Sequence, residues 1–300
     1  MQAFGAHDAA AKVSRSFLFV PADSERKLKK AGTCGADALI LDLEDSVVAS
    51  ARSKARKLAA EFLKQKCDAK IWVRINPLDT EDALEDLQAV MPAAPRGIVL
   101  PKPRGADDAT QLAKLLDVLE NECDLAAGQT AILPIATERP GALFRMGDYA
   151  DATPRLAGLT WGAEDLSTAV GASASRGDDG NWLPPYQLAR SLCIFAAAAA
   201  GVPAVDTVYT DFKDADGLAE FAAAARRDGF EGMLAIHPEQ VAIINKAFVP
   251  TPAETERAQR IVALFAANPE VGTLGMDGEM VDRPHWLQAK RILETASRLK

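Results

Sequence analysis

The sequence predicts an α/β protein built on a (β/α)8 TIM barrel with a C-terminal helical extension and lid. Three observations predict it. Eight short β-type runs recur along the chain, most of them nearly continuous apolar stretches, as parallel strands covered on both faces require. Segments of helical pattern separate them, and this alternation implies a parallel sheet that eight repeats can close into a barrel. No G-x-G-x-x-G or Walker A pattern is present, which weakens the alternative of an open doubly wound sheet.

In order, the runs are FLFVP (17–21), ALILDLE (38–44), KIWVRI (70–75), GIVLPK (97–102), TAILPIAT (130–137), LAGLTWGA (156–163), VPAVDTV (202–208) and GMLAIHP (232–238). The spacer DSERKLKKAGTCG (23–35) opens on a cap at Asp23 or Ser24 and ends in glycine. ARSKARKLAAEFLKQK (51–66) is amphipathic and rich in helix formers. YQLARSLCIFAAAAAG and DADGLAEFAAAARRDG precede runs seven and eight, each closing on Gly. Beyond residue 250, TPAETERAQRIVALFAAN reads as a helix with Pro252 in its first turn. GTLGMDGEMVDRPH (272–285) reads as a glycine-rich link, mobile or tightly turned, before a last helix, WLQAKRILETASRLK. Residues 14–250 are expected to form the barrel, and residues 251–300 an appendage of the same functional unit.

Composition narrows the function classes. The chain is 48% apolar and 25% charged, ordinary for a soluble globular protein, with a net charge of −8. That acidity argues against nucleic-acid binding, which relies on Lys and Arg at phosphates, while leaving room for a local anion pocket. Cys34, Cys67, Cys123 and Cys193 lie far apart, as thiols of a reducing compartment do. The opening MQAFGAHDAAAKVSRS lacks the apolar core of a signal peptide, and the run LCIFAAAAAGVPAV (192–205) is too short to span a bilayer. A cytoplasmic protein without a membrane partner is expected.

In such a barrel, functional groups gather at the C-terminal ends of the strands. There run two delivers Asp42, Glu44 and Asp45, run three Arg74 and Asn76, and run four Lys102 and Arg104. Run five adds Glu138 and Arg139, and run six Glu164 and Asp165; Asp206 lies in run seven, and His237 ends run eight. Two carboxylates about 4 Å apart repel by roughly 4 kcal/mol at an effective dielectric near 20. Such a cluster calls for a cation, a proton or a matching Arg, and a metal is the economical answer. His7, His237 and His285 are scattered and the thiols unpaired, so the donors are hard oxygens. They favour Mg2+, with Mn2+ as a substitute, over zinc. A Schiff-base aldolase using Lys102 is a rival, but it leaves the carboxylates without a task.

RSFLFVPADSERKLKKAGTCGADALILDLEDSVVASARSKAR resembles the opening of the citrate lyase β-subunit and malyl-CoA lyase group of the HpcH/HpaI aldolase superfamily. The likeness continues through WVRINPLDT, GIVLPK, TERPGALF, PRLAGLTWGAEDLS, AVDTVYTDFKDADGL, GFEGMLAIHPEQVAIIN and GEMVDRPH, covering roughly residues 14–290. The resemblance implies a Mg2+-dependent barrel enzyme that makes or breaks a carbon–carbon bond between an acyl-CoA and a small 2-oxo acid. It nominates Glu138 and Asp165 as metal ligands, one β/α repeat apart. Arg74 is nominated to grip the 2-oxo acid's carboxylate, its other reading being an ion pair with Asp79 or Glu81. Glu44 and Asp45 would hold metal-bound water and orient Arg74, while Asp42 braces the strand or a basic neighbour. Asp282 matches an acidic residue lent to a neighbouring subunit for proton transfer, which implies a homo-oligomer, a trimer or hexamer; its other reading is a helix N-cap or turn residue before Pro284. Arg15 would lie on the barrel floor or at the thioester's phosphates. Arg139 replaces a small or hydroxyl residue of many relatives, and the loop at 173–183 is placed to tune specificity. The same resemblance admits a subunit acting on an acyl-carrier-protein thioester, and a class II aldolase without CoA remains a further alternative.

Overall fold

Strand register decides which side chains enter the barrel. In the computed structural model, which describes residues 14–298, the eight runs form β1 (Ser16–Pro21), β2 (Ala38–Asp42), β3 (Lys70–Arg74) and β4 (Gly97–Leu100). β5 (Ala131–Pro134), β6 (Leu159–Thr160), β7 (Ala204–Asp206) and β8 (Gly232–Ala235) follow. They pair in parallel in the order β5-β4-β3-β2-β1-β8-β7-β6. The two ends of that series meet through bridges Ile132–Leu156 and Ile135–Thr160, where Ile132 and Ala136 N–H groups donate to the Arg155 and Thr160 carbonyls. The barrel therefore closes, and the open sheet is excluded. His7 and most of the stretch read for a signal peptide lie outside the described residues.

Alternation along each strand fills the interior with Phe17, Ala38, Ile40, Trp72, Val99, Leu133, Val205 and Leu234. Outside run α1 (Glu25–Ala31), α2 (Arg52–Leu63), α3 (Glu81–Val90) and α4 (Ala106–Glu122). After β5 a 3-10 segment, Pro140–Asp151, replaces a regular helix, in keeping with Pro140, Gly141 and Gly147. α5 (Ala163–Ala169), α6 (Pro184–Ala200), α7 (Ala215–Asp228) and α8 (Pro238–Ala247) complete the series. All four cysteines are free thiols, and among the described residues no helix is long and apolar enough to cross a membrane.

The chain separates into two compact units, Ser14–Asn245 and the stretch from Lys246. The second contains α9 (Pro252–Ala267) and α10 (Arg283–Arg298), joined by a hairpin of β9 (Thr273–Met276) and β10 (Glu279–Asp282). Thr251 and Glu254 form a reciprocal capping box at the start of α9. The glycine-rich link of the sequence reading is thus an ordered hairpin. Its turn is Asp277-Gly278 with φ of 55° and 82°, the left-handed pair that a two-residue hairpin needs.

One buried ion cluster guards the β5–β6 seam. Arg155 donates to both Glu120 oxygens at 2.8 and 2.6 Å and to the Thr130 carbonyl, while Glu120 accepts from the Gly128 and Thr130 N–H groups. Burial pushes the Glu120 carboxyl up, but these donors outweigh it and hold the group at about 2. A carboxylate depressed from 4.5 to about 2 contributes about 3 kcal/mol above its ordinary pKa, lost as pH falls toward 2. Urea unfolding of Glu120→Gln is therefore expected to show about that loss at pH 7, with the gap to wild type narrowing below about pH 4.5. A gap of constant size across that range would contradict the account.

Candidate active site

The inward set on β2 is Ala38, Ile40 and Asp42, and on β3 it is Trp72 and Arg74, so alternation carries both charged residues to the mouth of the barrel. Register then pairs Asp42 with Arg74 directly. Arg74 Nε and Nη2 donate to the two Asp42 oxygens, each at 2.7 Å, and Nη1 lies 3.0 Å from Glu44 and 3.5 Å from Asp45. The guanidinium also stacks over Phe19, 4.7 Å from the ring centroid. Burial pushes the Asp42 carboxyl up, but the charge and hydrogen bonds of Arg74 win and hold it below the usual range. The ion pair suggested for Arg74 with Asp79 or Glu81 is not formed. Asp79 instead accepts from Arg139 at 2.7 Å.

Across the mouth, Glu138 is buried and its Oε2 accepts from the Lys102 backbone N–H at 2.5 Å. Burial first, and then the like charge of Asp165, raise its pKa well above the ordinary carboxylate value. Asp165 stands in the first turn of α5, on the next strand's loop. Gly162 leaves the space that Glu138 occupies: a Cβ there would fall 2.7 Å from Glu138 Cγ. Lys102 Nζ contacts Glu44, Asp45 at 2.9 Å and Asp165 at 3.4 Å. Although burial alone lowers the Lys102 pKa, its hydrogen bonds to Glu44 and Asp45 keep the ammonium charged above the usual lysine range. A lysine held protonated is a poor nucleophile, which counts against the Schiff-base rival. Burial raises Glu44 to about 7 against the pull of Arg74 and Lys102.

Among the described residues, Asp42, Glu44, Asp45 and Asp165 pair with Arg74 or Lys102 and Glu138 stands beside them, so five carboxyl groups crowd around two cations at one mouth. Among the described residues no three His, Cys, Asp or Glu side chains form a ready-made metal cage. The Glu138–Asp165 pair does fit a hard divalent ion. Mg2+ is commonly held by one or two carboxylates with waters and substrate oxygens, and among the described residues no cationic side chain is hydrogen-bonded to the buried Glu138. The cleft over these groups, about 420 Å3, is lined by Asp42, Arg74, Glu138, Asp165 and the apolar Phe19 and Trp161.

A second cleft of about 460 Å3 shares Phe19, Pro21 and Ile236 with the first and carries Arg26, Lys27 and Lys30 of the α1 region. Sequence reading passed over this basic face, although residues 26, 27 and 30 fall on one side of a helix. It also passed over the side chain of Lys102 as the partner of the carboxylates. Asp206, counted with the mouth, is fully buried and holds Trp161 at 2.6 Å and Arg190 at 2.8 Å. Arg15 sits at the opposite, N-terminal end of β1, paired with Asp37 at 2.7 Å. The floor is therefore its place, and the structure does not bring it to the cleft as a substrate-binding residue. His237 stacks on Phe212, and Arg176 of the 173–183 loop lies 3.6 Å over Trp182, which meets Trp161 edge-on. In the second unit Asp282 Oδ1 lies 2.6 Å from His285 Nδ1.

A model of the HpcH/HpaI aldolase/citrate lyase family matches residues 15–238. The chain is 34% identical to the citrate lyase subunit beta of Haemophilus influenzae, over 95% of this chain and 97% of that one. It is 35% identical to a (3S)-malyl-CoA thioesterase of Cereibacter sphaeroides, over 94% of each. A crystal structure of Mycobacterium tuberculosis CitE with magnesium, acetoacetate and coenzyme A is similar at TM-score 0.80 and 31% identity, covering 96% of this chain and 100% of that one.

Gly162→Ala is expected to cost roughly 1–3 kcal/mol in urea unfolding, because the new methyl overlaps Glu138. In a Glu138→Ala background most of that cost should vanish. An equal cost in both backgrounds would show that Glu138 is not what Gly162 accommodates.

Proposed function

The chain belongs to the HpcH/HpaI aldolase/citrate lyase family, and from that premise we propose that it is a Mg2+-dependent acyl-CoA lyase. It makes or breaks a carbon–carbon bond between an acyl-CoA and a small 2-oxo acid. The observation that carries this reading is the placing of Glu138, Asp165 and Arg74 in one cleft that shares lining residues with a basic one. Magnesium held by Glu138 and Asp165 would supply Lewis-acid polarisation of the 2-oxo acid.

The chain's own residues do the rest. Asp42 engages two of the five N–H donors of Arg74, and Nη1 lies 3.0 Å from Glu44 as an ion pair without a hydrogen bond. Donors on both terminal nitrogens are left for the acid's carboxylate or for negative charge on the keto oxygen. Phe19 and Asp42 hold that guanidinium still, so little freedom is lost on binding. Arg26, Lys27 and Lys30 suit the phosphates of coenzyme A, and the shared wall of Phe19, Pro21 and Ile236 lets one thioester span both clefts. In condensation a proton leaves the thioester α-carbon for a base, and the α-carbon bonds to the keto carbon as the C=O π pair moves onto oxygen. That oxygen takes a proton from solvent to become the hydroxyl, while the base returns its own to solvent. Asp282, a third exposed beside His285, is our candidate base, serving the cleft of a second copy of the chain in a homo-oligomer.

The test pairs acetyl-CoA or propionyl-CoA with glyoxylate, pyruvate or oxaloacetate, reads products by mass spectrometry, and repeats each with EDTA. A Mg2+-dependent β-hydroxyacyl-CoA is expected, with Glu138→Gln and Asp282→Asn each at least about a hundredfold slower. Mixed Glu138→Gln and Asp282→Asn subunits should recover part of the activity if Asp282 acts in trans. EDTA-insensitive turnover would sink the metal reading. The match to a citrate lyase β subunit favours a second reading, action on a carrier-protein thioester, which absence of product from every CoA pair would support.

Lys27→Glu with Lys30→Glu should raise KM for the acyl-CoA by on the order of tenfold or more, with kcat nearly unchanged, because phosphate contacts far from the reacting atoms bind ground and transition states alike. A fall in kcat at constant KM would contradict the phosphate role.

A further inference from the structure

Lys102 serves the mouth of the barrel twice. Its backbone N–H donates to Glu138 Oε2 at 2.5 Å, and its side chain meets Glu44, Asp45 and Asp165. Both contacts depend on an unusual backbone: φ at Lys102 is 47°, the left-handed region that a residue with a Cβ enters only when its surroundings hold it there.

Position in the barrel explains what that geometry achieves. Lys102 follows β4. Glu44 and Asp45 follow β2, two strands away on one side, and Asp165 follows β6, two strands away on the other. The ammonium therefore reaches over the mouth and joins carboxylates that would otherwise repel. Arg74 is engaged with Asp42 and Glu44, so Lys102 is the cation that touches Asp165.

We propose that the Lys102 ammonium is an internal counter-ion for the metal site, and that a divalent cation must displace it from Asp165, so that Lys102 sets how weakly this chain holds its metal. The proposal rests on the reading of Glu138 and Asp165 as metal ligands. It makes Lys102 a positioning residue, distinct from a nucleophile. With substrate absent, Lys102 keeps Asp165 and Glu44 apart from one another's charge. When the ion arrives, its ammonium retreats to Glu44 and Asp45, where it remains neutralised.

The direction of the effect follows from charge. A positive group beside a divalent ion disfavours its binding, and removing that group also exposes carboxylates that attract the ion. Loss of one unit charge within several ångströms should tighten divalent binding on the order of tenfold.

The experiment titrates substrate-free protein with Mn2+ and reads the free aquo ion by electron paramagnetic resonance, so that no turnover is needed. Lys102→Met and Lys102→Gln, two neutral replacements of similar length, should each bind Mn2+ about tenfold more tightly than wild type. Lys102→Arg, which keeps the charge, should stay within about threefold of wild type on the same argument. Adding Glu138→Gln to either neutral variant should abolish the gain and so locate it at this site. Neutral variants that bind no more tightly than a metal-binding wild type overturn the proposal, as does an equal gain in Lys102→Arg. A wild type and neutral variants that all leave the Mn2+ signal unchanged overturn the metal reading as well.

Discussion

The buried pair of Asp42 and Arg74 is the contact on which the mouth of the barrel depends. Two charges taken out of water are expensive, and removing either partner alone strands the other, at a cost of about 3–5 kcal/mol. Here the expense is met by geometry. The two residues are direct neighbours in the β2–β3 register, so both side chains leave the sheet on the same face and meet edge to edge. Neither has to be bent into place. Phe19 closes the remaining side of the guanidinium, and Glu44 approaches its terminal nitrogen. A flexible side chain has thereby become a fixed positive charge at the end of two rigid strands.

With Arg74 fixed, the other charges fall into an order. Asp42 serves only Arg74 and, through its oxygens, the Glu44 and Ser46 N–H groups that shape the β2 loop. Glu44 stands between the two cations, and Asp45, half exposed, is the outer member. Glu138 and Asp165 complete the ring from the other side. Among the described residues Glu138 alone of the five has no protein cation paired with it, and Asp165 shares Lys102 with Glu44 and Asp45.

Much of this was legible in the sequence, for physical reasons that also explain what was not. The eight strands are apolar runs because both faces are covered, and inward alternation carries Asp42 and Arg74 to the same end. The nomination of Glu138 and Asp165 as metal ligands came only through resemblance, since nothing in their spacing distinguishes them from Glu164 or Asp206. Asp206 looks like a mouth residue in sequence, yet it spends its charge on Arg190 and Trp161. Lys102 was visible as a charge, but its task depends on a left-handed backbone and a reach over two strands, neither of which is encoded locally. The hairpin at Asp277-Gly278 was there to be read from its dipeptide, and the number of surrounding glycines obscured it.

The same charge arrangement constrains the order in which ligands can enter. On the proposed function a 2-oxo acid, itself an anion, would enter a mouth where five carboxyl groups stand around two cations. Like charges brought together in a partly dry cleft cost several kcal/mol, more than one guanidinium fork offsets. A divalent ion between Glu138 and Asp165 would offset those carboxylates, and the acid would then meet Arg74 and the ion together. Metal before acid is therefore the favoured sequence if Glu138 and Asp165 hold the ion. A thioester whose phosphates bound Arg26, Lys27 and Lys30, as proposed, would be under no such constraint, because those cations line the neighbouring cleft. On that reading an acidic protein would receive two anionic substrates, one through cations on a helix and the other only after a borrowed charge.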